Sequence, residues 1–194
     1  MKRISILVTL IAVIGLLLGG CATPEQRAQK LFDEGKYEEV LKKYENLPIA
    51  KQAKDKVAEQ MIAEGKYLEV LQGYADTPSK QVAENKLAEG LLGDKKYDEI
   101  LAKYPNTPAA NAARNAVAEQ LYSEKKFDDL IQKYPNTPAG RKARNDLAME
   151  DYNQIMKKPK KERVTLLTEL LKNPKYAGTE AAMKAQQELA GKPK

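Results

Sequence analysis

The chain of 194 residues carries 33 Lys and Arg residues against 27 Asp and Glu residues, a formal net charge of +6. It contains no histidine and a single cysteine, Cys21. Zinc ligation through imidazole or several thiolates is therefore excluded, and a nucleophile would have no histidine as its base. A carboxylate pair could still act in glycoside cleavage, but none stands apart from the ordinary surface acids. We therefore do not expect an enzyme.

The N-terminal segment has the pattern of a secretory signal. Lys2 and Arg3 precede an uncharged apolar run from Ile4 to Leu18, and small residues follow. A basic start, a short apolar run and small residues before the cut are typical of signal peptides. The run is short for a membrane span, which needs roughly 20 apolar residues. We predict that residues 1–20 are a signal peptide and that processing occurs before Cys21.

Leu18-Gly19-Gly20-Cys21 resembles the lipobox of bacterial lipoproteins. The resemblance implies a covalent lipid on Cys21, with no other cofactor. Ala22 stands where an Asp would favour retention in the inner membrane of Gram-negative bacteria, so it implies an outer-membrane lipoprotein that faces the periplasm. An ordinary cleaved signal with an incidental cysteine, or a Gram-positive surface lipoprotein, is the alternative. Thr23 to Gln26 predicts a capping box with Pro at the first helical position, so only a short tether precedes the first helix.

A repeat of fixed length follows. Four sets of residues recur at steps of thirty: Tyr37, Tyr67, Tyr97 and Phe127; Tyr44, Tyr74, Tyr104 and Tyr134; Pro48, Pro78, Pro108 and Pro138; Ala58, Ala88, Ala118 and Ala148. A period in this range predicts a solenoid, in which each unit contacts its neighbours along an extended surface. Solenoids of this kind usually bind other molecules.

Each thirty-residue unit is predicted to contain two antiparallel helices. In the unit from Thr77 to Tyr104, Thr77 is a suitable N-cap and Pro78 suits the first helical turn. Ala83, Leu87, Ala88 and Leu91 follow at helical spacing, and Gly93-Asp94 is expected to end this helix. A shorter amphipathic helix then begins near Lys96. Its apolar positions, expected to be core, are Tyr97, Ile100, Leu101 and Tyr104.

These positions resemble tetratricopeptide repeats. In one unit the matching residues are Val57-Ala58, Met61, Gly65-Lys66-Tyr67, Val70-Leu71 and Tyr74. The resemblance implies an all-α fold, a right-handed solenoid of helical hairpins over residues 21–153. The unit departs from the family pattern because it has thirty residues rather than 34, and because Val40, Val70, Ile100 and Leu130 replace a small residue. Residues 154–194 are predicted to form a degenerate repeat with a basic segment, and a capping helix from Thr179 to Ala190.

The long helices carry a second periodic set, of polar residues. Asp55, Asn85, Asn115 and Asn145 recur at the thirty-residue step, and Glu59, Glu89 and Glu119 lie one turn further on. The tetratricopeptide resemblance implies that these positions line a concave groove together with Ile62, Leu92, Tyr122 and Tyr152. Amides and carboxylates in this arrangement could hold an extended peptide. The alternative is that the Asn side chains only bond neighbouring helices.

Charge is unevenly distributed along the chain. Residues 22–154 hold 21 Lys and Arg against 23 Asp and Glu, whereas residues 155–194 hold 10 against 4. The densest cluster comprises Lys157, Lys158, Lys160, Lys161 and Arg163. Because an exported chain rarely meets nucleic acid, anionic lipid head groups or an acidic protein face are better candidates. A solvated loop around Pro159 is the alternative.

The phrases Gly-Lys-Tyr and Tyr-Pro-Asn-Thr-Pro resemble those of repeat lipoproteins that assist outer-membrane barrel assembly, and those of pilotins that escort secretins. The resemblance implies a non-enzymatic scaffold lipoprotein that binds envelope proteins, such as an outer-membrane barrel or an assembly complex. It implies attachment to the membrane through the lipid and no nucleic-acid partner. The alternative is a lipoprotein that binds cell-wall glycan or short peptides.

Overall fold

A computed structural model describes residues 22–191. Within these residues the structure has eleven α-helices, one 3-10 helix and no strand, so the predicted all-α class is confirmed. The predicted signal peptide and Cys21 lie outside the described residues. The lipid on Cys21 therefore stays a prediction.

The helices alternate between long and short up to residue 156. In chain order they are α1 (Pro24–Asp33), α2 (Tyr37–Lys43), α3 (Pro48–Ala63), α4 (Tyr67–Gly73), α5 (Ser79–Gly93), α6 (Tyr97–Lys103), α7 (Pro108–Ser123), α8 (Phe127–Lys133), α9 (Pro138–Met156), α10 (Lys160–Lys172), the 3-10 helix Pro174–Tyr176, and α11 (Glu180–Leu189). The short helices α2, α4, α6 and α8 begin at steps of thirty residues, as the sequence predicts.

The chain divides into two compact units, the first ending at Glu84 and the second beginning at Asn85, within α5. In the first unit, α3 packs against α1, α2 and α4. In the second unit, α7 packs against α6, α8 and α9, and α9 also contacts α10 and α11. Within each unit, a long helix therefore contacts its neighbouring short helices and another long helix.

Threonine hydroxyls cap the long helices α7 and α9, whereas α3 follows Leu47 and has no side-chain cap. Thr137 Oγ1 donates to the Tyr134 carbonyl at 2.8 Å and accepts the Gly140 N–H at 3.0 Å. Thr107 makes the same two bonds in the preceding repeat. Thr77 donates to the Tyr74 carbonyl, but α5 begins at Ser79, one residue later than predicted. The Tyr-x-x-Thr sequence thus closes the turn and caps the next helix.

A left-handed residue follows each of the helices α1, α3, α5 and α7. Gly35 and Gly65 occupy this position in the first unit, with φ of 73° and 76°, and Lys95 and Lys125 occupy it in the second, with φ of 58° and 57°. The N–H groups of Lys95 and Lys96 bond the carbonyls of Leu92 and Leu91, the paired bonds of a Schellman motif. α5 does end at Gly93 as predicted, but the left-handed residue is Lys95.

Aliphatic side chains form the centre of the core. The alanines that recur on the long helices and the branched residues of the short helices have no exposed surface: Ala58, Ala88, Ala118, Ala148, Val40, Val70, Ile100 and Leu130. Tyr97 and Tyr104 are only half-buried and pack at the edge of the cluster around Ile100. The expectation that the aromatic stripe is core therefore holds in part, because the rings flank the core and Ile100 fills it.

The C-terminal region reuses the helix cap. Thr179 Oγ1 donates to the Tyr176 carbonyl at 2.7 Å and accepts the Ala182 N–H, so α11 begins as the repeated long helices do. Thr179 lies 42 residues after Thr137 rather than thirty, because α9 and α10 have 19 and 13 residues where α7 and α8 have 16 and 7, and because the turn with the 3-10 helix is longer. Leu167 and Leu170 of α10 pack against Ala185, whereas Val164 is exposed.

Candidate functional site

The polar positions of the long helices differ from one another in the second unit. Asn145 of α9 is half-buried, and its Oδ1 accepts a hydrogen bond of 3.0 Å from the backbone N–H of Glu180. Glu180 is the first residue of α11, so Asn145 joins two packed helices. Asn145 is a structural contact within the chain, as the alternative interpretation of the Asn series expects.

Asn115 cannot make the corresponding bond. Asn115 lies on α7, and the long helix that follows it, α9, begins at Pro138, which has no N–H to donate. Asn115 is exposed and lines a cleft of about 420 Å³ together with Asn111, Arg114 and Pro138. Its amide therefore faces solvent in the structure.

The carboxylates one turn further along are exposed. Glu89 lies 2.9 Å from Lys86 Nζ, an ion pair on the surface of α5. Glu119 of α7 is exposed and has no ion pair among the described residues. Asn85 is half-buried and has an interaction partner in the chain, and Leu92 packs against the core around Ile100.

The two tyrosines of this series contact other parts of the chain. The Tyr122 hydroxyl donates to the Asp146 carboxylate, its ring lies 5.3 Å from that of Phe127, and Lys142 Nζ lies 4.6 Å from the ring centre. The hydrogen bond to Asp146 and desolvation raise the pKa of Tyr122, against the opposing effect of Lys142. Tyr152 packs against the cluster of Leu167 and Leu170. Both rings therefore hold helices together.

The basic positions separate into two kinds. Four are exposed: Lys157, Lys158, Lys160 and Lys161. Arg163 is partly buried, with Nη1 3.7 Å from Glu188 and 4.0 Å from the Met156 sulfur. We call Lys157, Lys158, Lys160 and Lys161 the basic segment, because Arg163 belongs to the packing between α10 and α11.

Surface clefts at the Tyr-x-x-Thr turns were not predicted. A cleft of about 470 Å³ in the first unit is lined by Lys54, Tyr74 and Asp76, and Lys54 bonds Asp76 at 2.7 Å. The cleft beside Asn115 has Arg114, Tyr134 and Asn136 at the positions sixty residues later. The two clefts therefore occupy equivalent positions two repeats apart in the sequence. The thirty-residue spacing of the turn residues could have predicted them.

A third cleft lies between α6 and α7 in the second unit. It measures about 580 Å³ and is lined on one side by Lys95 and Asp98 and on the other by Gln120, Glu124 and Lys126. Lys126 and Glu124 form an ion pair of 2.7 Å on one side of the cleft. Because its charges are mixed and paired locally, this cleft selects no single class of ligand.

Among residues 22–191, no group of three or more His, Cys, Asp or Glu side chains is arranged to hold a metal ion. In the same part of the chain, no helix has both the length and the apolar character needed to cross a membrane. Comparisons of the chain with protein-family models, with curated proteins and with solved structures found no match.

Proposed function

We propose that this protein is a non-enzymatic scaffold that binds extended segments of other proteins. The observation that carries the proposal is the pair Asn115 and Glu119, one turn apart on the same face of α7 and both exposed. A side-chain amide can both donate hydrogen bonds to the backbone of an extended peptide and accept hydrogen bonds from it, and a carboxylate favours basic side chains. Glu89 is exposed at the equivalent position of α5.

We propose that the helix pairs are tetratricopeptide-like repeats, the building blocks of a right-handed helical solenoid. The packing of a long helix on its neighbouring short helices and on another long helix, found within each unit, supports this. The equal spacing of α2, α4, α6 and α8 supports it as well. Such repeats bury their apolar faces on one another and leave polar positions available to a partner.

The proposed place of action is the periplasmic face of the outer membrane. The lipobox-like sequence before Cys21 and the absence of an Asp at position 22 support a lipid anchor there. Because Thr23 caps α1 directly, the first helix would begin close to the membrane surface. Envelope proteins, such as an outer-membrane barrel or an assembly complex, are the proposed partners.

A second candidate function is the binding of cell-wall glycan or short peptides. The cleft beside Asn115 favours it, because Asn111, Asn115 and Asn136 bring three amides to its walls. Amides both donate to and accept from sugar hydroxyls. A compact ligand in this cleft should raise the melting temperature of the protein, whereas a scaffold should show little response to small ligands.

The test is a pull-down of the full chain from membranes in mild detergent, with identification of the attached proteins. Recovery of the same large envelope proteins in repeated preparations would support the scaffold. Recovery of the protein without attached proteins, together with a higher melting temperature in the presence of soluble cell-wall fragments, would support the second candidate. Cys21→Ser tests the anchor separately: this variant should lose processing or membrane attachment, and a firmly bound, salt-resistant variant would contradict the anchor.

A further inference from the structure

The lysines of the basic segment make no ion pair with the rest of the described chain. Lys157, Lys158, Lys160 and Lys161 are exposed, and none has a carboxylate within 4 Å among residues 22–191. Lys157 Nζ donates a hydrogen bond of 3.4 Å to the neutral side chain of Gln154. Elsewhere exposed lysines are commonly paired, as Lys43 is with Glu39 and Lys103 with Glu99, both at 2.7 Å.

These lysines also have no part in packing. α10 uses Leu167 and Leu170 for its buried contacts, and Arg163 supplies the ion pair with α11. Val164 lies one turn after Lys160 and Lys161 and leaves 53% of its surface exposed. The start of α10 therefore presents charge beside an uncovered aliphatic side chain.

We propose that the basic segment binds the phosphates of an anionic lipid surface, as a membrane contact separate from the lipid on Cys21. This inference rests on the proposed anchoring, which would keep the protein at a membrane. A fluid array of phosphates accepts four flexible lysines in any arrangement, whereas an acidic protein face requires carboxylates at fixed positions. The exposed Val164 suits the boundary between head groups and acyl chains.

The expected effect is large enough to measure. A lysine near an anionic membrane surface strengthens binding by about fivefold, so four lysines together contribute roughly several hundredfold. Salt screens this attraction, because the Debye length falls to about 3 Å at about 1 M ionic strength. Contact by the basic segment should therefore disappear in high salt while the anchor holds.

The experiment reconstitutes the full chain, isolated from membranes, into vesicles of phosphatidylcholine alone or mixed with phosphatidylglycerol. An environment-sensitive fluorophore is attached at Thr165→Cys, beside Val164, and in a second protein at Ala112→Cys on the exposed side of α7. We expect a blue shift at position 165 in anionic vesicles only, reversed by high salt. Position 112 should show no change.

Two four-lysine variants complete the test. Lys157→Gln, Lys158→Gln, Lys160→Gln and Lys161→Gln together should abolish the shift at position 165. The matched control changes Lys43, Lys56, Lys103 and Lys133, which are paired with acids, to Gln, and should keep the shift. Equal loss in both variants would overturn the assignment to the basic segment, since net charge alone would then decide.

Two further outcomes would overturn the proposal. A shift in neutral vesicles as well would mean apolar contact without phosphate recognition. A shift that requires native membrane proteins would assign the segment to an acidic protein face. Failure of the anchor is recognised separately, because the Cys21 thiol of the otherwise unaltered chain would then react with maleimide; binding of that unanchored chain to anionic vesicles through the basic segment would still support the inference.

Discussion

The side chain of Asn145 accepts a hydrogen bond from the backbone N–H of Glu180, at 3.0 Å, across the contact between α9 and α11. The long helices α7 and α9 begin at Pro108 and Pro138, where α11 begins at Glu180, and proline has no N–H to donate. Asn145 therefore joins two helices through a hydrogen bond that Asn85 and Asn115, at the equivalent positions of the preceding repeats, cannot make. Periodicity in sequence does not establish periodicity in contact.

Asn145→Ala should lower the free energy of unfolding by about 1 kcal/mol, the usual net contribution of such a hydrogen bond. Asn115→Ala, at the equivalent exposed position, should change it by less than about 0.5 kcal/mol. Urea unfolding of both variants measures the two values. Equal costs would show that Asn115 also holds helices together.

The donor can be removed independently, with Glu180→Pro, which gives α11 the start that α7 and α9 have. Glu180→Ala is the matched control, because it loses the ion pair with Lys184 but keeps the N–H. In the Pro background Asn145→Ala should cost almost nothing, while in the Ala background its cost should persist. Persistence in both would mean that Asn145 stabilises the fold through some other contact.

The second prediction concerns the core of the second unit. Ile100 has no exposed surface, so Ile100→Ala should destabilise the protein by about 2–5 kcal/mol. A fully buried aromatic would cost about 3–5 kcal/mol when truncated, but Tyr97 is only half-buried, so Tyr97→Ala should cost about 2 kcal/mol. Chemical denaturation gives the order directly. A larger cost for Tyr97 than for Ile100 would mean that the rings, rather than the aliphatic residues, form the centre of the core.

The sequence predicted the helices well because each rests on local chemistry. The thirty-residue step places Tyr and Thr at the turns before α5, α7 and α9, and the Thr107 and Thr137 hydroxyls need only neighbouring backbone groups to cap a helix. The division of burial between Ile100 and Tyr97 was not predictable, because both lie on the same apolar stripe. A final helix from Thr179 to Ala190 was predicted, but the relation of Thr179 to Tyr176 was hidden by the longer α10 before it.

The third prediction concerns the left-handed helix ends. Lys95 and Lys125 adopt φ values of 58° and 57°, a conformation that costs a non-glycine residue about 1 kcal/mol. Lys95→Gly and Lys125→Gly should therefore each raise the free energy of unfolding by up to about 1 kcal/mol. Gly65→Ala, at the equivalent position of the first unit, should lower it by a similar amount. Thermal melts of the three variants test this, and destabilisation by Lys95→Gly would contradict the strain.

The fourth prediction concerns alkaline pH. Burial and the 2.6 Å hydrogen bond to Asp151 raise the pKa of Tyr176 from 10.0 to about 12. The folded state thus favours the neutral phenol, and this contribution to stability is complete below pH 10 and is lost as the pH rises to about 12. Tyr176→Phe should be less stable than the parent chain at pH 8, and the difference should shrink in that window. A constant difference across the window would contradict the raised pKa.

The candidate site was predictable only as a set of positions. Asn85, Asn115 and Asn145 are alike in sequence, but their surroundings depend on what the next long helix offers, a proline or an N–H. Tyr122 occupies the same repeat position as Leu92, thirty residues later. Its hydroxyl nevertheless bonds Asp146, which belongs to another helix. Long-range partners of this kind leave no local signal. The exposure of Glu89 and Glu119, by contrast, follows from their place on the polar side of an amphipathic helix.

The last prediction tests the proposed peptide-binding face of the second unit. Asn115→Ala with Glu89→Gln and Glu119→Gln should weaken capture of envelope partners. The fold should survive, since surface changes away from special contacts cost within about 0.5 kcal/mol each. The matched control removes two carboxylates from the cleft between α6 and α7, with Asp98→Asn and Glu124→Gln. Pull-down and melting curves on the same preparations separate the outcomes, and Asn145→Ala provides the structural reference.

Loss of capture in the control alone would move the site to the cleft between α6 and α7. Unchanged capture by the first variant, at an unchanged melting temperature, would exclude Glu89, Asn115 and Glu119 as partner contacts, and it would also count against the amide-lined cleft, because Asn115 lines that cleft.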